Sequence, residues 1–176
     1  DFASIFPQKS TSVKALEGAT TSIVSHLYKK YNAKRVLDFT AGWGSRMIAA
    51  AALDIDYIGI DANRKLEPGY KKIQNAIKPY TKSNIKMIFK EAEKVDFSKL
   101  PKYDLVFTSP PYEYLEVYEC MVNYENTEKF KQPSSANCIK KDGAMGFYND
   151  FLIPTIKNAY KYLPRNGYLC LNIPDN

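Results

Sequence analysis

The chain has little of the chemistry on which many metalloenzymes, hydrolases and secreted domains depend. Its 176 residues include one histidine, His26, and three scattered cysteines, Cys120, Cys138 and Cys170. No Cys-x-x-Cys pair and no Cys/His ligand spacing occurs, which argues against a metal site, a Ser-His-Asp triad and a disulfide framework. Reduced thiols are typical of intracellular compartments, so we expect a cytoplasmic or nuclear protein.

Long apolar runs are also missing. No stretch approaches the roughly 20 apolar residues that a membrane-spanning helix needs, and the first residues form no secretory hydrophobic segment, so we expect no membrane association. The 45% hydrophobic and 25% charged content is ordinary for a folded domain. The length fits one domain over residues 1–176. The net charge of +6 favours a polyanionic partner over an acidic one.

What the chain does contain is an alternation of short apolar runs with helical patterns. The predicted strands are 35–39, 56–61, 85–89, 105–107 and 168–173. The predicted helices are 12–31, 45–52, 66–80 and 151–163. This order predicts an α/β fold with a mostly parallel central sheet and helices on both faces. Residues 113–149 are polar and tyrosine-rich and interrupt the alternation. We expect them to form a substrate-facing insertion, and a solvated cap over the active site is the alternative.

The fourth strand ends in a rigid polar and aromatic tip. Its apolar residues 105–107 are followed by Ser109, Pro110, Pro111 and Tyr112. The two prolines forbid continuation of the strand, because neither has an N–H for the sheet and each restricts φ. The tip therefore carries one hydroxyl, one carbonyl and one flat ring at the carboxyl end of a parallel strand, where ligands bind in open α/β sheets. A strand-terminating turn without further function is the alternative interpretation.

The first strand leads into a glycine-rich turn over residues 38–44. Its small residues Ala41, Gly42 and Gly44 allow the backbone to pass close to a ligand, and a helix begins directly afterwards. The turn is neither a G-x-G-x-x-G phosphate loop nor a Walker motif. We expect Trp43, which lies between the two glycines, to pack beneath the loop, and a role in shaping the mouth of the cofactor site is the alternative.

Two further acids follow the next two strands. Asp61 ends the second strand, where a carboxylate can accept hydrogen bonds from both hydroxyls of a ribose. Asp96 and Phe97 follow the third strand and could receive an adenine, with the carboxylate accepting from its amine and the ring packing on its face. Exposed capping carboxylates are the alternative interpretation for these acids.

Taken in order, these motifs resemble those of S-adenosylmethionine-dependent amino-methyltransferases that act on nucleic-acid bases. In that family an Asp, Asn or Ser followed by Pro-Pro and an aromatic residue binds the target amine, and the Ser form is commonest in enzymes for cytosine N4. The resemblance implies a Rossmann-like class I methyltransferase fold, which usually continues with two further strands. A missing carboxyl-terminal segment or a partner subunit would complete the sheet.

The resemblance also implies a site and a reaction. The catalytic residues would be Ser109, Pro110, Pro111 and Tyr112. The cofactor, S-adenosylmethionine, would lie against Asp38, Phe39, Ala41, Gly42, Gly44, Asp61, Asp96 and Phe97, with Asp38 facing its ammonium group. No metal is implied. The expected reaction is methyl transfer to cytosine N4 or adenine N6, with DNA favoured over RNA as the nucleic-acid partner.

Other functions remain open at this point. The same tip occurs in enzymes that methylate RNA bases and, with Asn in the first position, glutamine side chains of proteins. A catalytically silent nucleic-acid-binding subunit and a nucleotide-binding regulatory domain are the alternatives without transfer chemistry. Consumption of bound S-adenosylmethionine when DNA or RNA is added would separate these possibilities.

Overall fold

The computed structural model describes residues 11–110 and 147–173, with residues 11–20 described as helix only. The α-helices are α1 (Thr11–Lys30), α2 (Ser45–Ala51), α3 (Glu67–Ile77) and α4 (Ile153–Lys161). The strands are β1 (Arg35–Asp38), β2 (Asp56–Asp61), β3 (Ile85–Phe89), β4 (Leu105–Thr108) and β5 (Tyr168–Leu171). Short 3-10 helices lie at Arg64–Leu66, Lys78–Tyr80, Ala92–Lys94 and Phe97–Lys99, and a π-helix lies at Phe147–Leu152.

The five described strands form one sheet in the order β3-β2-β1-β4-β5, and every neighbouring pair is parallel. Leu37 of β1 pairs with Ile58 on one side and with Val106 on the other. The strand order therefore reverses direction at β1 and β4. In doubly wound sheets this switch point is where a crevice opens outside the carboxyl ends of the strands. The predicted α/β architecture is confirmed.

The sheet is covered on both faces by apolar cores. One core packs α1, α2 and α3 against side chains such as Val36, Tyr57 and Phe107. The other packs the π-helix and α4 against alternate residues of the same strands, such as Leu37 and Ile58. Because successive side chains of a strand point to opposite faces, a buried two-sided sheet needs continuous apolar runs, which is the pattern seen in the sequence.

The element boundaries follow the predictions to within two residues, β5 ending at Leu171 and not at residue 173, apart from two helices. The predicted helix 66–80 is an α-helix that ends at Ile77 and gives way to a 3-10 turn containing Pro79, which lacks the N–H that α-helical continuation requires. The predicted helix 151–163 is preceded by the π-helix, which takes in the last residues of the predicted insertion 113–149; residues 111–146 lie outside the described part. Within the described residues, no helix has the length and apolar character to cross a membrane.

Candidate functional site

Three of the predicted motifs meet at the carboxyl edge of the sheet. The Ala41 N–H donates to the Ile60 carbonyl over 2.9 Å, which ties the turn after β1 to β2. The Gly42 N–H donates to Asp61 Oδ2 over 2.7 Å. On the other side, the Thr40 hydroxyl donates to the Ser109 carbonyl over 2.8 Å. The glycine loop is thus bonded to the acid after β2 and to the tip after β4.

The glycines of the loop adopt conformations that other residues avoid. Gly42 has φ 61° and Gly44 has φ 93°, both in the left-handed region that glycine populates without strain. A Cβ on Gly44 would also lie 3.3 Å from Ile73 Cδ1. The Tyr70 hydroxyl lies 3.0 Å from the carbonyls of both Ala41 and Gly42. Side chains of α3 therefore support the loop from beneath.

Trp43 does not occupy that supporting position. Its side chain is 45% exposed, so the expectation that it packs beneath the loop is wrong. Tyr70 and Ile73 of α3 already fill the space below Gly44. Trp43 is the chain's single tryptophan.

Asp38 lies beneath the loop with no exposed surface. Its Oδ2 accepts from Arg46 Nε over 2.5 Å and from the Tyr57 hydroxyl over 2.6 Å. Its Oδ1 accepts from the Thr108 hydroxyl over 2.9 Å and from the Thr40 N–H over 3.2 Å. A carboxylate has about four acceptor positions, so these donors fill its capacity. The predicted contact of Asp38 with a cofactor ammonium group stays a prediction.

Arg46 provides the positive charge that accompanies this buried carboxylate. Burial is the largest influence and lowers the pKa of the guanidinium, but the charge and hydrogen bond of Asp38, together with Tyr57 and Tyr28, leave that pKa raised, so the group stays charged. Arg46 Nη2 also donates to the Thr40 carbonyl. The ion pair therefore holds the start of the loop in place, and its role is structural.

Asp61 has a more open environment. Its Oδ2 accepts from Gly42 and its Oδ1 accepts from the Asn63 N–H over 2.8 Å. Among the described residues each oxygen therefore has one donor, and a carboxylate oxygen can accept two. Burial raises the pKa of Asp61 to about 6, against the lowering effect of the two backbone N–H groups. The remaining acceptor capacity fits a ligand with two neighbouring hydroxyls.

The other predicted cofactor residues have differing surroundings, since the two phenylalanine rings are buried and Asp96 is exposed. The rings of Phe39 and Phe97 are 1% and 3% exposed and belong to the core that packs on α4. Asp96 caps the 3-10 helix after β3 by accepting from the Ser98 N–H over 3.1 Å. Its hydrogen bond with the Ser98 hydroxyl, with help from Lys99, lowers the pKa of Asp96. Adenine binding by Asp96 and Phe97 stays a prediction, and the observed capping role matches the alternative.

The tip after β4 is described as far as Pro110. Ser109 is half-buried and Pro110 is buried, and the Asn172 side chain after β5 lies beside the serine, with Nδ2 3.3 Å from Ser109 Oγ. The predicted catalytic residues Pro111 and Tyr112 lie outside the described residues.

Sequence reasoning gave no role to the polar groups that connect these motifs. They are Thr40, Arg46, Tyr57, Tyr70, Thr108 and Asn172. One signal was available for Arg46, because a basic residue in the first turn of a helix is electrostatically unfavourable unless an acid compensates it. The tyrosines looked like ordinary core residues, since their partners lie on other elements.

Comparison with solved structures identifies the fold. TrmN from Thermus thermophilus matches 87% of this chain and 38% of its own, with 17% identity and a TM-score of 0.58. NSun6 from Pyrococcus horikoshii, solved with SFG, matches 87% and 36% with 16% identity and a TM-score of 0.53. The SAH-bound Podospora anserina methyltransferase PaMTH1 matches 87% and 51% with 14% identity and a TM-score of 0.51.

These similarities show a Rossmann-like fold of the class I methyltransferase type, and at such low identity they show the fold alone. The chain spans about half or less of the length of these structures. No protein-family model matches the sequence, and comparison with curated proteins gave no match.

Proposed function

We propose that the protein transfers a methyl group from S-adenosylmethionine to an exocyclic amine of a nucleic-acid base, cytosine N4 or adenine N6, with DNA as the favoured substrate. The observation that carries this proposal is a hydrogen bond between the glycine loop after β1 and the tip after β4. Thr40 of the glycine loop donates to the Ser109 carbonyl over 2.8 Å. A cofactor on the loop would therefore lie next to the tip that resembles the amine-binding motif.

The described residues fit the cofactor. Asp61 retains one acceptor position on each oxygen among its described partners, as two ribose hydroxyls require. The positive φ values of Gly42 and Gly44 let the loop backbone approach a ligand without an intervening side chain. Two structures of the same fold were solved with SAH or SFG, which supports a cofactor of this kind. The cofactor would supply a methyl group already activated as a sulfonium.

The tip supplies what the acceptor needs. A base amine is a poor nucleophile, because its lone pair is delocalised into the ring. Ser109 Oγ and the Pro110 carbonyl would accept the two N–H bonds and turn the lone pair out of the ring plane towards the methyl group. The N–CH3 bond would form as the S–CH3 bond breaks, with S-adenosylhomocysteine as the leaving group, and the methylated amine would then lose one proton to water. Holding both reactants in line provides much of the remaining acceleration. Tyr112 would stack on the base, which is worth about 1–3 kcal/mol.

A base inside a duplex must leave the stack to reach such a site, so single-stranded and duplex substrates will behave differently. The net charge of +6 supports a polyanionic substrate. An RNA base is the second candidate substrate, and a silent nucleic-acid-binding subunit is the alternative if cofactor or transfer is missing.

The first test is binding of S-adenosylhomocysteine, measured by calorimetry and by the fluorescence of Trp43, the single tryptophan. Asp61→Ala should weaken binding by about tenfold or more, since two hydrogen bonds to a charged acceptor are lost. Asp54→Ala is the matched control, because this exposed acid lies near the opposite end of β2 and accepts from Lys82. Equal affinities for both variants would contradict the proposed cofactor site.

The second test follows an isotopically labelled methyl group from S-adenosylmethionine into single-stranded DNA, duplex DNA and RNA, with identification of the modified base. Ser109→Ala should lower the transfer rate by about tenfold, because one acceptor for the amine is removed, while cofactor affinity stays within about twofold. Cofactor binding without transfer to any of these substrates would favour the silent subunit.

A further inference from the structure

Asn172 occupies a position beside the tip to which neither the resemblance nor the comparisons assign a role. It follows β5 directly, and the pairing of Thr108 with Leu171 brings it across from Ser109. Its N–H donates to the Thr108 carbonyl over 2.9 Å. Its side chain is exposed at the carboxyl edge, with Nδ2 3.3 Å from Ser109 Oγ. This backbone hydrogen bond fixes the position of the residue at the end of β5.

Ser109 is also held in place from the loop side. The Thr40 hydroxyl donates to the Ser109 carbonyl over 2.8 Å and lies 2.6 Å from the Thr108 hydroxyl. Thr108 in turn donates to the buried Asp38 over 2.9 Å. The relative position of the serine hydroxyl and the Asn172 amide is therefore set by β4, β5 and the loop, which is the preorganisation that a recognition site needs.

The two side chains present complementary chemistry. A serine hydroxyl can accept a hydrogen bond from an amine, and the Nδ2 of asparagine donates. Cytosine and adenine each carry an amine next to a ring nitrogen that accepts a hydrogen bond, and enzymes that act on extruded bases read this edge. The contact between Asn172 Nδ2 and Ser109 Oγ is 3.3 Å, slightly longer than usual, and Nδ2 carries two N–H groups, so one of them can be directed at a ring nitrogen.

We propose that Asn172 binds the acceptor base by donating from Nδ2 to the ring nitrogen beside the target amine, while Ser109 accepts from the amine itself. This inference rests on the proposed function and deepens it. The pair selects amines that are bonded to the same carbon as an acceptor nitrogen, and it disfavours isolated alkyl amines. Asn172 is then a specificity-determining contact, separate from the cofactor site.

The test compares two substrates that differ at the ring nitrogen. The wild type is assayed on an oligonucleotide with its normal target base and on one in which C–H replaces that nitrogen, as 3-deazacytosine or 1-deazaadenine. The same pair is given to Asn172→Ala and to the control Asn75→Ala, an exposed asparagine on α3. Intrinsic reactivity of the analogue cancels, because each enzyme is assayed on both substrates.

We expect the wild type and Asn75→Ala to prefer the normal base by about tenfold or more in kcat/KM, as for one good base contact. Asn172→Ala should show at most about a twofold preference, and its affinity for S-adenosylhomocysteine should match the wild type. Asn172→Asp should lose transfer more strongly, since an acceptor would face the ring nitrogen.

The outcomes separate the two proposals. Full discrimination by Asn172→Ala, or no discrimination by an active wild type, overturns the role of Asn172 and leaves the proposed function standing. A wild type that binds no S-adenosylhomocysteine, or that transfers no methyl group to any oligonucleotide, overturns the proposed function and this inference with it.

Discussion

Asp38 and Asp61 end neighbouring parallel strands at the same edge of the sheet, yet their carboxylates have opposite surroundings. Asp38 has no exposed surface and accepts four hydrogen bonds, one of them from the charged Arg46. Asp61 accepts two backbone N–H bonds from described residues, and neither of these donors is charged. The same side chain therefore anchors the glycine loop in one place and keeps acceptor capacity for a ligand in the other.

The contrast follows from the cost of burying charge. An ionised carboxylate is stable in a protein interior only when a cation and hydrogen-bond donors replace water. Asp38 meets that condition completely. Asp61 meets it in part, and the imbalance raises its pKa to about 6 through burial. Carboxylates with perturbed pKa values in clefts are often functional. The different roles of Asp38 and Asp61 can be tested by substituting each of them.

The largest effect is expected from Asp38→Ala, which leaves the Arg46 guanidinium buried without its partner. We expect the free energy of unfolding to fall by about 3–5 kcal/mol, measured by urea denaturation. Glu67→Ala is the control, because it breaks an exposed ion pair with Lys71 and should cost only about 0–1 kcal/mol. Similar losses in the two variants would refute the anchoring role.

Tyr57→Phe should give the next largest effect. It removes the buried hydroxyl that donates to Asp38 over 2.6 Å, and hydrogen bonds to charged groups are worth about 1.5–3 kcal/mol. Tyr103→Phe is a matched control, since its hydroxyl donates to the neutral Ala159 carbonyl over 2.7 Å and should cost about 0.5–1.5 kcal/mol. A larger loss in the control would show that the charge of Asp38 is not what makes the bond strong.

A smaller, pH-dependent effect is expected at Asp61. Its pKa is raised from 3.8 to about 6 in the folded protein, so its proton is bound more tightly when folded. That stabilisation is present below pH 3.8 and is lost as the pH rises through about 6. Between pH 4 and pH 7 the free energy of unfolding of the wild type should fall by on the order of 1–2 kcal/mol more than that of Asp61→Asn.

The control for this pH dependence is Asp96→Asn. The hydrogen bond from Ser98 lowers the pKa of Asp96, so the wild type should gain stability relative to this variant as the pH rises through the acid range. The two differences should have opposite signs. If the stability difference between wild type and variant changes in the same direction with pH for both substitutions, the environments assigned to Asp61 and Asp96 are wrong.

The smallest effect is expected from Asp96→Ala on binding of S-adenosylhomocysteine. Asp96 is occupied with Ser98 and Lys99 on an exposed 3-10 turn, so the affinity should change by less than about twofold, as for surface substitutions away from a site. A tenfold loss would instead restore the adenine contact predicted from the sequence. The calorimetric assay that compares Asp61→Ala with Asp54→Ala gives this value directly.

Much of the fold was predictable. The strands over 56–61 and 85–89 match the predictions, because both appear as short apolar runs between turn residues. The central residues of β2 are buried, whereas β3 lies at the edge of the described sheet and is only partly buried. The loop glycines and the acid after β2 were also placed correctly at strand ends. The π-helix at Phe147–Leu152 was not, since its bonding pattern depends on how these residues pack against the sheet and leaves no sequence period of its own.

The site was predictable in its parts and not in its connections. Thr108 and Asp38 are 70 residues apart, and Thr40 and the Ser109 carbonyl are 69 apart. No local pattern links residues at such separations. Thr40, Tyr57 and Thr108 therefore looked like a loop hydroxyl and two strand residues until the strand order brought them to one carboxylate.

The features that could be predicted from the sequence alone depend on local chemistry. Apolar runs form strands, and Pro110 ends β4. The absence of side chains at Gly42 and Gly44 permits the turn. The different roles of Asp38 and Asp61 could be recognised only in the folded structure. Both acids follow buried strands and look alike in sequence. Among the described residues, folding brings Arg46 and Tyr57 into hydrogen bonds with Asp38 and the backbone N–H groups of Gly42 and Asn63 into hydrogen bonds with Asp61. Strand order and helix packing determine which distant donors reach each carboxylate.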